Sequence, residues 1–225
     1  MSPATSERDG NRRVLLAGAS GLVGGMCLRH LTGGAAFDEI VAVSRRPLEV
    51  TDPRLRVVVT EFDRLEKSPA VPARAALCAL GTTMARAGSR EAFRRVDHDA
   101  VLAFARWARA GGAGAFVLVS SVGASAAARN FYLRVKGETE EAIAALGFSR
   151  VVFLRPGLLV GPRAEKRPAE RIAGAVMPVL APLLAGPLRR YRAVLADEVA
   201  AAMVTAATAD APGTFLWYHD EIRGR

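Results

Sequence analysis

The sequence predicts an α/β protein built around a doubly wound parallel sheet. Two observations lead to this fold class. Short apolar runs alternate with stretches of helical periodicity between residues 14 and 160. In addition, chemically distinctive residues directly follow the apolar runs. The carboxyl ends of parallel strands meet at one edge of a sheet, which is where such folds bind their ligands.

Six apolar runs bounded by glycine, proline or polar residues are predicted to be strands, the first two of them buried. They are residues 14–17, 40–43, 55–60, 75–80, 116–119 and 151–154. Four other stretches have the periodicity and end signals of helices. They are residues 22–31, a long helix that begins at Gly88 or Ser89 and stops at Gly111, residues 132–146, and residues 196–207.

The first strand leads directly into a glycine-rich turn that we assign to cofactor binding. Its residues are Gly18, Ala19, Ser20, Gly21, Leu22, Val23 and Gly24. Gly18 would allow the turn, Gly21 would let the backbone approach a pyrophosphate, and Gly24 would let the next helix pack closely on the sheet. The helix N-terminus would add free N–H groups. The spacing is GxxGxxG rather than the common GxGxxG, so a turn without a ligand is the alternative.

Residues 14–225 are predicted to form a single domain, and the polar residues 1–13 a disordered tail that lacks the features of a signal peptide. Residues 161–192 depart from the alternation of strands and helices. They include an apolar run at residues 172–188 that contains three prolines and is flanked by arginines. We interpret this segment as a substrate flap or a subunit interface, with docking on an anionic membrane as a third option. It is short for a transmembrane span.

The composition limits the classes of partner. The net charge of +9 comes from 31 basic and 22 acidic residues, but the arginines are scattered and no nucleic-acid motif accompanies them. We therefore expect a small-molecule substrate and no nucleic acid, with a homodimer as an option. No histidine or cysteine cluster has metal-site spacing. Cys27 and Cys78 are predicted to be buried thiols in a reducing compartment, and we expect a cytoplasmic protein.

Three side chains form the candidate catalytic site. Tyr132 and Lys136 lie one turn apart on a predicted helix, so both project from the same face. An ammonium beside a phenol favours the phenolate, which lets the pair exchange a proton with a carbonyl oxygen. Ser121 ends the preceding strand, and its hydroxyl could hold the same oxygen. Ser120 is the alternative serine, because the predicted register is good to one residue only.

The second strand predicts the choice of cofactor. Ser44, Arg45 and Arg46 stand where an NAD site would place a carboxylate for the ribose 2′-hydroxyl. Two guanidiniums instead suit a 2′-phosphate, so the sequence favours NADP(H) over NAD(H). The alternative is that both arginines are only solvated.

Other strand ends supply further candidates for the cofactor site. Asp63 would lie beside the adenine, Leu80 and Gly81 would line the cofactor with their backbone, and Lys136 would reach the nicotinamide ribose next to Tyr132. Arg155 could bind a cofactor or substrate phosphate, or form a salt bridge.

The combined motifs resemble the short-chain dehydrogenase/reductase superfamily, whose members have the NAD(P)-binding Rossmann fold. The matching segments are GASGLVG at 18–24, SSVGA at 120–124, YLRVK at 132–136 and RPG at 155–157. Residues 80–83, 95–97 and 132–138 are similar to the atypical subgroup of Tat-interacting, tumour-suppressor-like oxidoreductases, in which bacterial members are often labelled sugar-nucleotide epimerases. This resemblance implies that Tyr132 is the proton donor or acceptor, Lys136 its helper and Ser121 the oxygen-holding hydroxyl.

One departure from the superfamily pattern keeps three functions open. Many active members have an asparagine after strand four, where this chain has Asp97. We therefore consider an NADP(H)-dependent oxidoreductase acting on a carbonyl or alcohol, a non-catalytic NADP-binding regulator, and a nucleotide-sugar epimerase or dehydratase.

Overall fold

Within residues 12–161 and 186–224, which the computed structural model describes, the protein forms nine strands. In chain order they are β1 (Arg13–Ala17), β2 (Glu39–Ser44), β3 (Leu55–Val59), β4 (Ala75–Cys78), β5 (Ala115–Val119), β6 (Arg150–Leu154), β7 (Leu159–Val160), β8 (Val194–Leu195) and β9 (Gly213–Trp217). Seven of these described strands form one parallel sheet in the spatial order β3-β2-β1-β4-β5-β6-β9, and β7 pairs with β8 alone.

Helices cover both faces of this sheet. In the described part of the chain they are α1 (Leu22–Gly33), α2 (Phe62–Leu65), α3 (Met84–Ala87), α4 (Arg90–Arg94), α5 (Ala100–Ala110), α6 (Phe131–Ala144), α7 (Ala196–Thr208) and α8 (His219–Arg223). A π-helical segment, Arg95–Asp99, joins α4 to α5, and a 3₁₀ helix covers Gly186–Tyr191.

The strand order explains where a ligand can bind. β1 pairs with β2 on one side and with β4 on the other, so the chain crosses from one half of the sheet to the other between β3 and β4, and the strand order reverses at β1. Such a switch point leaves a crevice above the carboxyl ends of the two central strands. The glycine-rich turn follows β1 and therefore lies at this crevice.

The five inner strands of the sheet are buried on both faces, which is why they appear in the sequence as continuous apolar runs, whereas the edge strand β3 is only partly buried. Leu16 of β1 packs in a cluster with α1 and α7, whereas its neighbour Leu15 packs in a second cluster with α5 and α6. The predicted fold class and all six predicted strands are confirmed.

The edge strand β9 was not predicted. It begins at Gly213, and Leu216 remains 43% exposed, so the strand lacks the fully buried pattern of the central strands. Only pairing with β6 defines it as part of the sheet. The described residues include no helix that is both long and apolar enough to cross a membrane.

The predicted long helix begins as expected but is not uniform. The Ser89 hydroxyl caps it by accepting the N–H of Ala92 at 3.1 Å. The π-helical segment Arg95–Asp99 then interrupts the α-helical path before α5. Hydrophobic periodicity predicts helix throughout and does not distinguish a π turn, whose extra residue changes the direction of only a few side chains.

Two predicted segments fall largely outside the described residues. Residues 1–11 of the predicted tail are outside, whereas Arg13 already belongs to β1 and binds Glu39 at 2.6 Å. Residues 162–185 are also outside, and they comprise most of the predicted flap and of the apolar run.

Close backbone packing fixes the glycine-rich turn. Gly18 has a φ of +90°, and a Cβ there would lie 2.6 Å from the carbonyl carbon of Ala79. A Cβ on Gly24 would lie 2.0 Å from the carbonyl oxygen of Gly18. Since both obstacles are backbone atoms, they cannot rotate away as a side chain would. The turn, the first turn of α1 and the end of β4 therefore hold one another in place.

We expect Gly24→Ala to lower the free energy of unfolding by about 1–3 kcal/mol or more, because the added methyl group overpacks the turn. Gly33 lies in the same helix, and a Cβ added there would have nothing within 4 Å. Gly33→Ala is the matched control and should leave stability unchanged or raise it by up to about 1 kcal/mol. Urea denaturation measures both. Equal effects of the two substitutions would contradict the packing argument.

Candidate functional site

The crevice begins at the N-terminus of α1. Gly21 occupies the N-cap position, so no side chain caps the helix, and its first turn contains no acidic residue. Ser20 and Gly21 are exposed, whereas Ala19, Val23 and Gly24 are buried. The first pair therefore presents backbone and hydroxyl groups to a ligand, and the buried residues shape the turn. An uncapped helix N-terminus suits a pyrophosphate, and these residues fit a bound dinucleotide.

A groove of about 560 Å³ extends from this turn to the loop after β2. Ser44 is buried, and its hydroxyl accepts the backbone N–H of Arg46 at 3.4 Å. The side chains of Arg45 and Arg46 are exposed. The groove is lined by Ala19, Ser20, Gly25, Leu28, Arg29, Thr32, Arg46, Pro47, Leu48, Glu49 and Val50.

Sequence reasoning missed Arg29 as part of this groove. It lies four residues after Gly25 on α1 and so projects from the same helix face. That spacing was the available signal, but it becomes meaningful only when the loop after β2 is known to lie opposite. The groove thus combines the guanidiniums of Arg29 and Arg46 with one carboxylate, that of Glu49.

The ends of β3 and β4 contribute differently. Asp63 is exposed at the start of α2, held there by the buried side chains of Phe62 and Leu65. Gly81 is also exposed but lies against α6 and the π-helical segment, since a Cβ on it would be 3.3 Å from Asp97 Oδ1 and 3.7 Å from Lys136 Nζ. The backbone after β4 therefore runs directly beside these two charged side chains.

Tyr132 and Lys136 lie in the first turns of α6, as predicted. The Asn130 side chain caps this helix by accepting the N–H of Leu133 at 3.2 Å. The half-buried Tyr132 ring packs against Phe93 with 5.4 Å between ring centroids. Lys136 is buried, and its Nζ lies 2.8 Å from Asp97 Oδ1.

The contacts of Asp97 were not predicted from the sequence. It is fully buried, and its Oδ2 accepts the N–H of Thr82 at 2.8 Å. Burial by itself would lower the pKa of Lys136, but the charge of Asp97, together with the phenol of Tyr132, raises that pKa above its ordinary value. The lysine is thus held as an ammonium ion inside the protein.

The loop after β5 is packed directly on α6. A Cβ on Gly137 would lie 2.1 Å from the carbonyl carbon of Ser125, and the Ser125 N–H bonds the Leu133 carbonyl at 3.2 Å. The loop that carries Ser120 and Ser121 is therefore fixed to the helix that carries Tyr132 and Lys136.

The two candidate serines differ in their surroundings. The Ser120 N–H bonds the Leu154 carbonyl at 2.7 Å and so extends the β5 ladder by one residue. Side chains alternate along a strand, which puts Ser120 on the same face as Leu118, the face covered by α5 and α6. Its buried hydroxyl oxygen has no hydrogen-bond partner among the described residues. The Ser121 hydroxyl donates to the Val122 carbonyl at 3.4 Å.

Arg155 forms the salt bridge that was one of its two predicted roles. Its Nε donates to Glu140 Oε1 at 3.0 Å, Nη2 binds the other oxygen, and Nη1 donates to the Tyr218 hydroxyl at 3.1 Å. Burial opposes the charge, but the hydrogen bonds and charge of Glu140 raise the pKa of Arg155. These donors form the predicted salt bridge, and a contact of Arg155 with a cofactor or substrate phosphate stays a prediction.

The two predicted thiols are both buried. Burial raises the pKa of Cys27 and of Cys78 to about 12, which leaves them as unreactive core side chains. In the described ranges, no three histidine, cysteine, aspartate or glutamate side chains are grouped so that they could hold a metal ion.

Comparison with known proteins reveals clear relatives, although no protein-family model matches the chain. A protein named fmp52, mitochondrial, from Emericella nidulans is 40% identical over 172 residues, which cover 71% of this chain and 72% of that protein. HTATIP2 from Rattus norvegicus is 38% identical over 168 residues, covering 72% of this chain and 69% of the relative.

A solved structure shows the same fold. The human epimerase family protein SDR39U1 (isoform 2), determined with NADPH, has a TM-score of 0.61 and 20% sequence identity. The match covers 92% of this chain and 74% of that protein. At this level of identity the similarity concerns the fold alone.

These relatives correct the expected location. Fmp52 is named as a mitochondrial protein, so the prediction of a cytoplasmic protein is wrong for this group of sequences. The prediction relied on free cysteines, and both thiols are buried. A buried thiol reports a protected position and not a particular compartment.

We expect Arg155→Met to lower the free energy of unfolding by about 3 kcal/mol, because it leaves the buried Glu140 carboxylate without its guanidinium. Arg223→Met removes a similar bond to Glu198 at the surface, where both side chains are more exposed, and should cost about 1 kcal/mol or less. Urea denaturation compares the two. Similar losses would show that Arg155 has no special structural role.

Proposed function

The chain belongs to the HTATIP2 and Fmp52 family of atypical short-chain dehydrogenase/reductase proteins, and on that premise we propose that it is an NADP(H)-dependent oxidoreductase acting on a small carbonyl or alcohol. One observation carries the proposal. The buried ammonium of Lys136 lies one turn after Tyr132 and beside Gly81, in the crevice that begins at the glycine-rich turn. A buried cation next to a phenol at a switch point is typical of a site and costly for a purely structural position.

The side chains have distinct roles in this proposal. Tyr132 exchanges a proton with the substrate oxygen, and Lys136 holds a cationic charge one turn further along the same helix. Ser121 is the candidate for holding that oxygen, because it is partly exposed after β5, whereas the Ser120 hydroxyl is buried with no partner among the described residues. Bound NADPH would supply the hydride. The glycine-rich turn and the backbone at Leu80 and Gly81 would hold the NADPH.

The preference for NADP(H) rests on the groove after β2. Arg46 and Arg29 line this groove, and Arg45 directly precedes Arg46; Arg45 and Arg46 are exposed with no ion pair to another described residue. Guanidiniums match a 2′-phosphate, whereas a ribose 2′-hydroxyl is bound by a carboxylate at the end of β2. At the end of β2 this chain has Ser44 in place of that carboxylate. The carboxylate that lines the groove belongs to Glu49, five residues further along the chain.

A non-catalytic NADP-binding regulator is the second candidate. The observation that favours it is the carboxylate of Asp97 on the ammonium of Lys136, which already neutralises the charge that would assist Tyr132. Such a protein would bind NADPH and turn over no carbonyl compound. A nucleotide-sugar epimerase would differ from both by retaining its cofactor through purification.

We expect Tyr132→Phe to abolish NADPH oxidation with a reactive carbonyl while NADPH binding is retained. The phenylalanine keeps the ring contact with Phe93 and loses only the hydroxyl that exchanges the proton. Loss of a general acid typically lowers the rate by about 10²–10⁴-fold. The absorbance of NADPH measures turnover over a panel of carbonyls, and titration calorimetry measures binding. Undiminished turnover by the variant would refute the assignment of Tyr132.

We expect the double variant Arg45→Gln/Arg46→Gln to weaken NADPH binding by about 10- to 100-fold, since charge-assisted hydrogen bonds contribute about 1.5–3 kcal/mol. NADH binding should change little, because it lacks the 2′-phosphate. Arg106→Gln is the control for charge, since Arg106 is exposed on α5 and pairs with Glu66. A parallel loss of NADH affinity in the double variant would count against a 2′-phosphate site.

A further inference from the structure

Asp97 joins three elements at the edge of the proposed site. Its Oδ2 accepts the Thr82 N–H after β4 at 2.8 Å, and its Oδ1 lies 2.8 Å from Lys136 Nζ on α6. Its own carbonyl accepts the Thr139 hydroxyl, also on α6, at 3.0 Å. The side chain has no exposed surface. A carboxylate buried to this degree needs a compensating charge, and Lys136 supplies it as an ion pair, since Asp97 Oδ1 has no partner in hydrogen-bond geometry among the described residues.

The local backbone supports a specific role for this residue. Asp97 is the central residue of the π-helical segment Arg95–Asp99, between α4 and α5. π turns within longer helices occur frequently at functional sites, because the additional residue changes the direction of nearby side chains. Here the turn coincides with the residue that reaches both the backbone after β4 and the lysine on α6.

Lys136 has one carboxylate partner among the described residues. The titratable groups that face it are Asp97 from the π segment, Tyr132 from α6 and Cys78 from β4. Burial raises the pKa of the Cys78 thiol to about 12, so this thiol stays neutral over the ordinary range. Tyr132 begins the helix one turn earlier. The negative charge that compensates Lys136 therefore comes from Asp97.

We propose that Asp97 is a positioning residue that fixes the ammonium of Lys136 beside Gly81 and couples it to the backbone of Thr82. An asparagine could still accept the Thr82 N–H but could not compensate a buried ammonium. The chain thus uses a charge where many members of the superfamily have an amide. The importance for turnover rests on the proposed function, whereas the charge coupling can be measured without any substrate.

Asp97→Asn is the first test, because it preserves shape and the acceptor for Thr82. In the active enzyme we expect kcat to fall about a hundredfold, as a small misplacement of a catalytic group does, with KM for the carbonyl nearly unchanged. NADPH binding should be retained. An unchanged kcat in an enzyme that depends on Tyr132 would overturn the positioning role.

The second readout is the pH dependence of unfolding. In the native protein the pKa of Lys136 lies above its ordinary value, so folded and unfolded chains both carry the proton below about pH 10.4. In Asp97→Asn the buried ammonium lacks its counter-charge, so its pKa should fall below the ordinary value. The unfolded chain then binds more protons than the folded one, and stability rises with pH. The difference in free energy of unfolding between the native protein and Asp97→Asn should therefore become smaller as the pH rises from neutral toward about 10.4.

Two further variants isolate this effect. The comparison is repeated in a Tyr132→Phe background, so that the phenol contributes no titration. The double variant Asp97→Asn/Lys136→Met removes both charges, should show no such rise, and should unfold at higher urea than Asp97→Asn at neutral pH. A stability difference that stays constant with pH, or a double variant no more stable than the single one, would overturn the proposal. If the stability difference becomes smaller with rising pH in a protein that shows no turnover, the charge coupling between Asp97 and Lys136 is supported and only the proposed function is refuted.

Discussion

The ion pair between Asp97 and Lys136 is the interaction on which the site depends. Moving either charge into the protein interior alone would cost several kcal/mol, so each group requires the other. The pair joins the π-helical segment to α6 and, through the Thr82 N–H, to the end of β4. The ion pair lies beside Gly81 at the ligand crevice. Because Gly81 has no side chain, only its backbone separates the two charges from a bound molecule there.

The topology of the sheet explains why this ion pair lies at the ligand crevice. The reversal of winding between β1 and β4 opens the crevice, and parallel strands deliver the glycine-rich turn, Gly81 and Ser120 to the same edge of the sheet. The backbone contact between Gly24 and Gly18 then fixes the helix whose N-terminus faces the crevice. The sheet thus determines which residues meet, and side-chain charge determines what they can do there.

The fold and the outline of the site could be predicted from the sequence, because buried parallel strands and glycine-rich turns are local patterns. The partner of Lys136 could not, since Asp97 lies thirty-nine positions away and only tertiary packing joins them. The sequence left two roles open for Arg155 for the same reason. Its salt-bridge partner, Glu140, lies on another element and is identified only by the structure. Ser120 and Ser121 are adjacent, so a register uncertain by one residue leaves both faces of the strand open.

Helix α6 shows how structural and chemical demands are met together. Lys136 and Glu140 lie one turn apart, and each is buried against an opposite charge from another element, Asp97 from the π segment and Arg155 after β6. Gly137 between them touches the loop after β5 too closely for any side chain. Rotation or sliding of the helix would separate both pairs at once and force backbone atoms together. Because α6 is held at these points, Tyr132 in its first turn has a defined position without needing a strong partner of its own.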